Sequence, residues 1–302
     1  MNAEMDFDVI IVGGSYAGLS AAMALGRALR KVLVIDGGKP CNRQTPHSHN
    51  FLTRDGETPA AIASIAKEQL AKYTTVKLVT DFAIEASKLD AGFQIITRSG
   101  TNYTAKKILF ATGIIDIMPA IPGFAECWGI SVLHCPYCHG YEVRHQPTGI
   151  LGNGDAGFEL AKLISNWTND ITFFTNGKST LSAEQEQLLV KHNIKIIETE
   201  VQQIVHDNGQ IKNIILQNNE AYQLTAMYAR LPFNQHSDLP QQFGCDLTNE
   251  GYIAVDGFYH TSIPGIYAAG DNATMVRSVA VVVAAGMVAA AAINRDMITE
   301  EF

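Results

Sequence analysis

A β-branched apolar run, a pair of glycines, an Ala/Leu/Met-rich segment, a second apolar run and an acid follow one another at the start of the chain. The first four steps of that order return near the middle, and no other feature restricts the fold as strongly. Phe7 to Val12 ends in Gly13-Gly14, Ser15-Tyr16-Ala17-Gly18 opens a segment running to Leu29, and Lys31 to Ile35 is closed by Asp36. The second copy begins near Thr148: Gly149-Ile150-Leu151 leads into Gly152-Asn153-Gly154-Asp155-Ala156-Gly157, then a helical stretch to about Asn166 and a strand from Ile171 to Phe174. Strand, glycine turn, helix and parallel strand form the βαβ unit, so the spacing predicts an α/β fold with an internal repeat.

The 302 residues correspond to about two domains at roughly 150 residues each. Charged residues make up only 17% of the chain, against about a quarter in ordinary soluble domains, so much of it must lie inside layered structure. Between the copies, Phe93 to Thr97 and Ala105 to Phe110 read as strands ending in Ala111-Thr112-Gly113, and Pro119, Pro122 and Gly123 read as a linker. Lys195 to Ile197, Ile211 to Leu216 and Gly265 to Ala269 are further strands, the last ended by Gly270-Asp271. The layout predicts a first domain of residues 1–116 plus 246–302, interrupted by a second of residues 117–245. Val279 to Ile293 is apolar over 15 residues, too short to span a bilayer, and reads as a buried helix.

A net charge of −8 with no basic cluster disfavours nucleic acid or an anionic membrane as partner. The first six residues lack the cationic and apolar segments of a secretion signal, so a cytoplasmic location is expected. In a reducing compartment five cysteines point to redox or metal chemistry wherever two lie close together.

Amides at a helix N-terminus form a pyrophosphate site when glycines let phosphate approach. Gly13-x-Ser15-x-x-Gly18 has serine at the central position, but Asp36 follows Gly13 by 23 residues, where a carboxylate can accept from a ribose diol. The alternatives are an ordinary tight turn and a hydrolase nucleophile elbow, in which Ala17 would replace the second glycine.

His134-Cys135-Pro136-Tyr137-Cys138-His139-Gly140 is the richest stretch chemically. Two cysteines separated by two residues can close a disulfide in one turn, and such spacing lowers a thiol's pKa at a helix N-terminus or beside a cation. The competing reading is half a zinc site completed by His134 or His139, but Cys41, Cys127 and Cys245 are isolated and supply no second pair.

Taken together, these motifs resemble those of low-molecular-weight thioredoxin reductases over essentially the whole chain. The resemblance implies two Rossmann-like nucleotide-binding domains, the second inserted into a discontinuous FAD domain and carrying the CxxC. Carried over by position, Gly13, Gly14, Ser15, Ala17, Gly18, Asp36 and Gly37 would bind FAD. So would Asn50, Ala111, Thr112 and Gly113, and, late in the chain, Gly270, Asp271, Ser278, Val279 and Ala280. Cys138 would face the flavin and Cys135 would exchange with substrate. A homodimer is implied by the resemblance alone.

Three positions depart from the family pattern. An aspartate usually follows the second cysteine, whereas here it is His139, which can move a proton near neutrality and as a cation would stabilise a thiolate; the alternative is a plain helix cap. Gly152-x-Gly154-x-x-Gly157 is intact, but Thr175 stands where an NAD site has a carboxylate, and no His-Arg-Arg follows to hold the 2′-phosphate of NADP(H), Lys178 alone being a weak substitute. Arg277-Ser278-Val279-Ala280 replaces the usual Arg-Gln-Ala.

The string Cys-Pro-Tyr-Cys-His-Gly-Tyr-Glu also looks like the active site of dithiol oxidases acting on gliotoxin-type and holomycin-type metabolites, which pass electrons through FAD to oxygen without nicotinamide. In such an enzyme the loop His47-Ser48-His49-Asn50-Phe51 would lie by the flavin; a simply exposed loop is the alternative. The sequence thus predicts a flavoprotein that interconverts dithiol and disulfide through Cys135 and Cys138, with His139 moving the proton. Three directions stay open: reduction of a thioredoxin-like protein or small disulfide, oxidation of a small-molecule dithiol by oxygen, or a redox sensor without turnover.

Overall fold

The computed structural model describes residues 5–302. The expectation drawn from the first six residues falls largely outside them. The chain forms two compact units, Met1–Arg43 with Phe51–Ile115 and Phe233–Phe302, and Gln44–Asn50 with Asp116–Pro232.

The first unit is built on a seven-stranded sheet. Val76–Thr80, Val32–Asp36, Phe7–Val12 and Asn102–Phe110 lie side by side, all parallel. Beyond Asn102–Phe110, the antiparallel hairpin Ala83–Leu89 and Gly92–Thr97 pairs with its first half and the parallel strand Ile266–Ala268 with its second. Val9 to Ile11 and Val32 to Val34 are fully buried, as expected of central parallel strands covered on both faces, which therefore read as unbroken apolar runs rather than alternating ones.

One face of this sheet is covered by two helices, Tyr16–Arg27 and Val279–Glu301. The second exceeds the apolar run in the sequence by a further two turns. By length and composition it is the one helix among the described residues that could cross a membrane. It packs instead as a core helix: Val282, Ala285, Gly286, Ala289, Ala290, Ala292, Ile293 and Met297 are buried, and the Ser20 hydroxyl donates to the Val283 carbonyl. Gly286 lies so close to the Ala17 backbone that a Cβ would fall well inside contact distance of the Ala17 carbonyl oxygen.

The second unit has its own five-stranded parallel sheet, ordered Lys195–Ile197, Ile171–Phe174, Thr148–Leu151, Ala226–Ala229 and Val132–Leu133. An antiparallel sheet of Val201–Asp207, Gln210–Leu216 and Ala221–Gln223 completes it.

The unit borders differ from those expected. Residues 233–245 group with the first unit because Leu239 and Cys245 are buried among Ile10, Phe93 and Phe110, and because the Gln235 amide donates to the Gly251 and Asn272 carbonyls. Gln44–Asn50 groups with the second, Gln44 and Thr45 lying against Gly129. The helix expected to reach Leu29 ends at Arg27, Leu29 having turned to a left-handed φ of 62°, and the helix expected to reach Asn166 is Gly154–Ile164.

Candidate active site

In the first unit the glycine turn, the acid and the late glycine-aspartate pair come together. Gly13, at φ 110°, leaves no room for a Cβ beneath the Ala111 carbonyl, and a Cβ on Gly14 would meet the Asp36 side chain. The turn thus brings backbone against the carboxylate. Ser15 caps the helix Tyr16–Arg27 with an extended backbone and makes no side-chain capping bond. Asp36 accepts from the Gly38 amide at 3.0 Å and pairs with Lys67 at 3.1 Å. Ala17 is buried between Gly270 and Gly286, and a side chain on Gly37 would collide with the Phe82 ring, so both positions answer to packing.

Ala111 donates to the Val12 carbonyl, and Thr112 accepts from Asn272, whose own Oδ1 is buried without a partner. Gly113 turns at φ 67° with open space where a side chain would be. Asp271 lies 3.4 Å from the Cys41 sulfur and 3.9 Å from Arg277. Ser278 caps the helix Val279–Glu301, its hydroxyl accepting from Val281, so Val279 and Ala280 form that helix's first turn. An uncapped helix start, glycines that cannot carry side chains and a carboxylate at the end of the adjacent strand fit an adenine dinucleotide, with its pyrophosphate at the turn and a ribose at Asp36.

The corresponding turn of the second unit does not fit one. Asn153 caps the helix Gly154–Ile164, and its side-chain oxygen accepts from the Gly154 amide (2.9 Å), the Thr180 amide (2.8 Å) and the Thr180 hydroxyl (3.0 Å). Its nitrogen donates to the Lys178 carbonyl at 2.9 Å. An amide that would face a phosphate is already bonded to a side chain. Thr175 is buried and donates to the Gly177 and Ile197 carbonyls, Asp155 adds negative charge to the helix's first turn, and Glu198 accepts from the Ser179 amide at 2.7 Å.

The cysteines lie in the second unit on the short helix Pro136–His139, which Cys135 precedes as cap. The amides of Cys138 and His139 both donate to the Cys135 carbonyl, so cysteine, cysteine and histidine share a single turn. Cys138 Sγ donates to Cys135 Sγ at 2.7 Å, close enough for the pair to pass between dithiol and disulfide by small side-chain rotations. No group of three or more His, Cys, Asp or Glu placed to hold a metal occurs among the described residues.

Histidines gather around this turn. The His139 ring meets the His49 ring edge-on with centroids 6.3 Å apart, the His47 and His49 rings are also 6.3 Å apart, and His49 Nε2 lies 3.6 Å from Glu142. The loop that sequence reasoning singled out therefore belongs beside His139; Asn50, the last residue of its second-unit segment, has a left-handed φ of 60°. Burial, with His49 adding to it, lowers the His139 pKa, only Glu142 opposing the shift. The shift favours the neutral imidazole, the form able to accept a proton.

Tyr228, which sequence reasoning missed, also belongs here. It lies on Ala226–Ala229, paired in register with Leu133 two residues before Cys135. Its only sequence signal was membership of a short apolar run, Ala-Met-Tyr-Ala.

Two dinucleotide-type α/β units, one of them bearing a close cysteine pair beside imidazoles, have the architecture of the disulfide oxidoreductases built on nucleotide-binding folds. The chain belongs to the pyridine nucleotide-disulphide oxidoreductase family, whose profile matches residues 7–289. It is 29% identical to thioredoxin reductase aclD of Aspergillus oryzae, with 98% of each chain covered. Among solved structures, a putative thioredoxin reductase TrxB from Bacillus anthracis is 32% identical with TM-score 0.94, covering 98% of this chain and 100% of that one. HlmI is 29% identical with TM-score 0.91, covering 98% and 93%. The protein is a flavoprotein disulfide oxidoreductase of the thioredoxin reductase-like branch, in a family whose members use a flavin and a pyridine nucleotide.

Proposed function

We propose that the enzyme oxidises a dithiol through Cys135 and Cys138, with FAD in the first unit and oxygen as final acceptor, and that nicotinamide takes no part. The observation that carries this reading is the Asn153 side chain, bonded to Gly154 and Thr180 where a second dinucleotide would need free amides. With Cys135 and Cys138 as a disulfide, a substrate thiolate attacks Cys135 Sγ, forming a mixed disulfide and releasing Cys138 as thiolate. The second substrate thiol gives its proton to His139, and its sulfur attacks the first substrate sulfur. The substrate disulfide departs and Cys135 is left as thiolate. The enzyme pair now holds two electrons, and its re-oxidation restores the starting disulfide. FAD, held at the glycine turn and Asp36 of the first unit, would supply the two-electron acceptor for that step, and with oxygen as the final acceptor one dithiol and one oxygen would give one disulfide and one hydrogen peroxide.

A homodimer in the cytoplasm completes this proposal, tested by sedimentation of the holoenzyme and by fractionation.

Anaerobic titration of the yellow holoenzyme separates the directions. A small dithiol should bleach the flavin band, and air should restore it with one peroxide per dithiol. NADPH and NADH should bind about a hundredfold or more weakly than in a complete site, since each missing charge-assisted bond is worth about 1.5–3 kcal/mol. Rapid bleaching by either nucleotide would refute the proposal in favour of a reductase.

The lowered His139 pKa sets the pH dependence. Flavin reduction by dithiol should fall on acidification only below the usual histidine range, as the neutral imidazole becomes protonated. His139→Asn should slow it by about 10²-fold at neutral pH and remove that acid limb. Stopped-flow rates across pH check this; an unchanged acid limb in the variant would assign the proton to another group.

A further inference from the structure

Asp36, the acid at the ribose position, has a partner from a helix outside the glycine turn. Its side chain is 13% exposed; Lys67 Nζ donates to Oδ2 at 3.1 Å and the Gly38 amide to Oδ1 at 3.0 Å. Oδ2 faces the turn, for a Cβ on Gly14 would lie 2.8 Å from it. Lys67 belongs to the helix Pro59–Leu70, which Thr58 caps by accepting from the Ala61 amide. Tyr16, first residue of the helix after the turn, donates to the Pro59 carbonyl and ties the two helices together. Ile62, Ala66 and Leu70 pack into the core at helical spacing, so Lys67, next after Ala66, stands at the border of that face. From there its long apolar stem can follow the helix edge while the ammonium reaches the end of the strand Val32–Asp36. Lys39 and Arg98, the other cations near this strand end, lie over the Phe82 ring instead.

An ionised carboxylate offers about four acceptor positions, two on each oxygen. Gly38 and Lys67 take one on each, which leaves one on each for the two hydroxyls of a ribose diol. Left to itself, an aspartate carboxylate turns easily about the Cβ–Cγ bond. These two contacts therefore fix the plane in which the open positions lie.

We propose that Lys67 is a positioning residue for the dinucleotide: it neutralises and orients the Asp36 carboxylate so that it accepts from both hydroxyls of the adenosine ribose. Asp81, whose amide donates to the Asp36 carbonyl, brings a second carboxylate to this strand end, and a pyrophosphate at the turn would add further negative charge. The inference rests on FAD binding at the first glycine turn and not on the direction of electron flow.

The test is the affinity for FAD, read without turnover. Yellow holoenzyme is diluted, and the fluorescence of released FAD is followed to equilibrium. Because Lys67 is partly exposed, Lys67→Met should weaken binding by the amount of a screened pair, about fivefold. Lys67→Arg, which keeps a cation in reach of the carboxylate, should stay within about twofold of the parent. An unchanged affinity in Lys67→Met overturns the proposal.

A second background separates orientation of Asp36 from a direct pull on the phosphates. With Asp36→Ala already in place, Lys67→Met should cost less than about twofold more, because the cation has nothing left to orient. The same loss in both backgrounds would place Lys67 on the phosphates or in the fold and would overturn the proposal. Should Asp36→Ala retain no flavin, flavin 2′-deoxyadenine dinucleotide replaces FAD. It lacks one hydroxyl of the diol, so the penalty of Lys67→Met should shrink to about half or less, and an undiminished penalty refutes the proposal. A parent that retains no flavin would sink the functional proposal together with this one, whereas rapid bleaching by NADPH would sink the former alone.

Discussion

Cys138→Ser should abolish electron flow from dithiols to the flavin, by about 10³-fold or more, while leaving the yellow colour and the melting temperature near those of the parent. Serine cannot close the bond to Cys135, and the pair acts as a unit, so losing either sulfur removes the whole route. The two sulfurs stand 2.7 Å apart on one turn, and no third cysteine shares it. The variant also offers a trap. With Cys138 gone, the Cys135 thiolate that attacks an oxidised substrate's disulfide forms a mixed disulfide, the other substrate sulfur leaving as thiolate, with no neighbouring cysteine to resolve it, and an adduct should appear in the intact mass. Anaerobic flavin bleaching by dithiol measures the first effect. If this variant bleaches at the parental rate, the cysteines are not the route and the functional proposal fails.

Gly286→Val should destabilise the first unit by about 3 kcal/mol or more, near the upper end for overpacking, because the new atoms would overlap the Ala17 carbonyl rather than another side chain. Backbone cannot swing aside as a side chain can, so the helices Tyr16–Arg27 and Val279–Glu301 must separate. At about 2–4 °C per kcal/mol for a unit of this size, the melting temperature should fall by roughly 10 °C. Flavin retention should drop with it, since the glycine turn proposed to hold the cofactor's pyrophosphate opens the first of these helices. Met287→Ala, one position along with its side chain 54% exposed, is the control and should change melting by little. Equal melting temperatures for the two variants would show that the helices do not meet as described.

The strands and the glycine turns were legible because each is a local pattern. Phe7–Val12, Ile171–Phe174 and Lys195–Ile197 have the bounds their apolar runs indicate, and the turns lie between strand and helix in both copies. Ala226–Ala229 escaped notice because four apolar residues without periodicity fit a strand or a buried helix equally well. Its neighbours in the sheet, Thr148–Leu151 and Val132–Leu133, come from distant parts of the chain, and with them the relation of Tyr228 to the cysteine turn was hidden. The cysteine pair and His139 were visible from spacing alone. The company of His49 and Glu142 was only half visible, for the loop was noticed as rich in proton-carrying groups but its neighbour, ninety residues on, is a property of tertiary packing. The departure of the second nucleotide turn from the family pattern was legible in Thr175 and the missing His-Arg-Arg. That Asn153 bonds to Thr180 and Lys178 as well as to Gly154 is visible only in three dimensions, since an asparagine at a helix start ordinarily does no more than cap it.

The seven residues Gln44–Asn50 leave the first unit, join the second and return. The second unit is consequently not encoded by one continuous stretch, and a gene fragment cut at residues 116 and 232 would encode the sheet and both cysteines but omit His47 and His49. Transplanting the cysteine-bearing unit onto another scaffold therefore calls for a two-piece graft, with the short histidine-bearing strap supplied in trans or stitched in by a new connection.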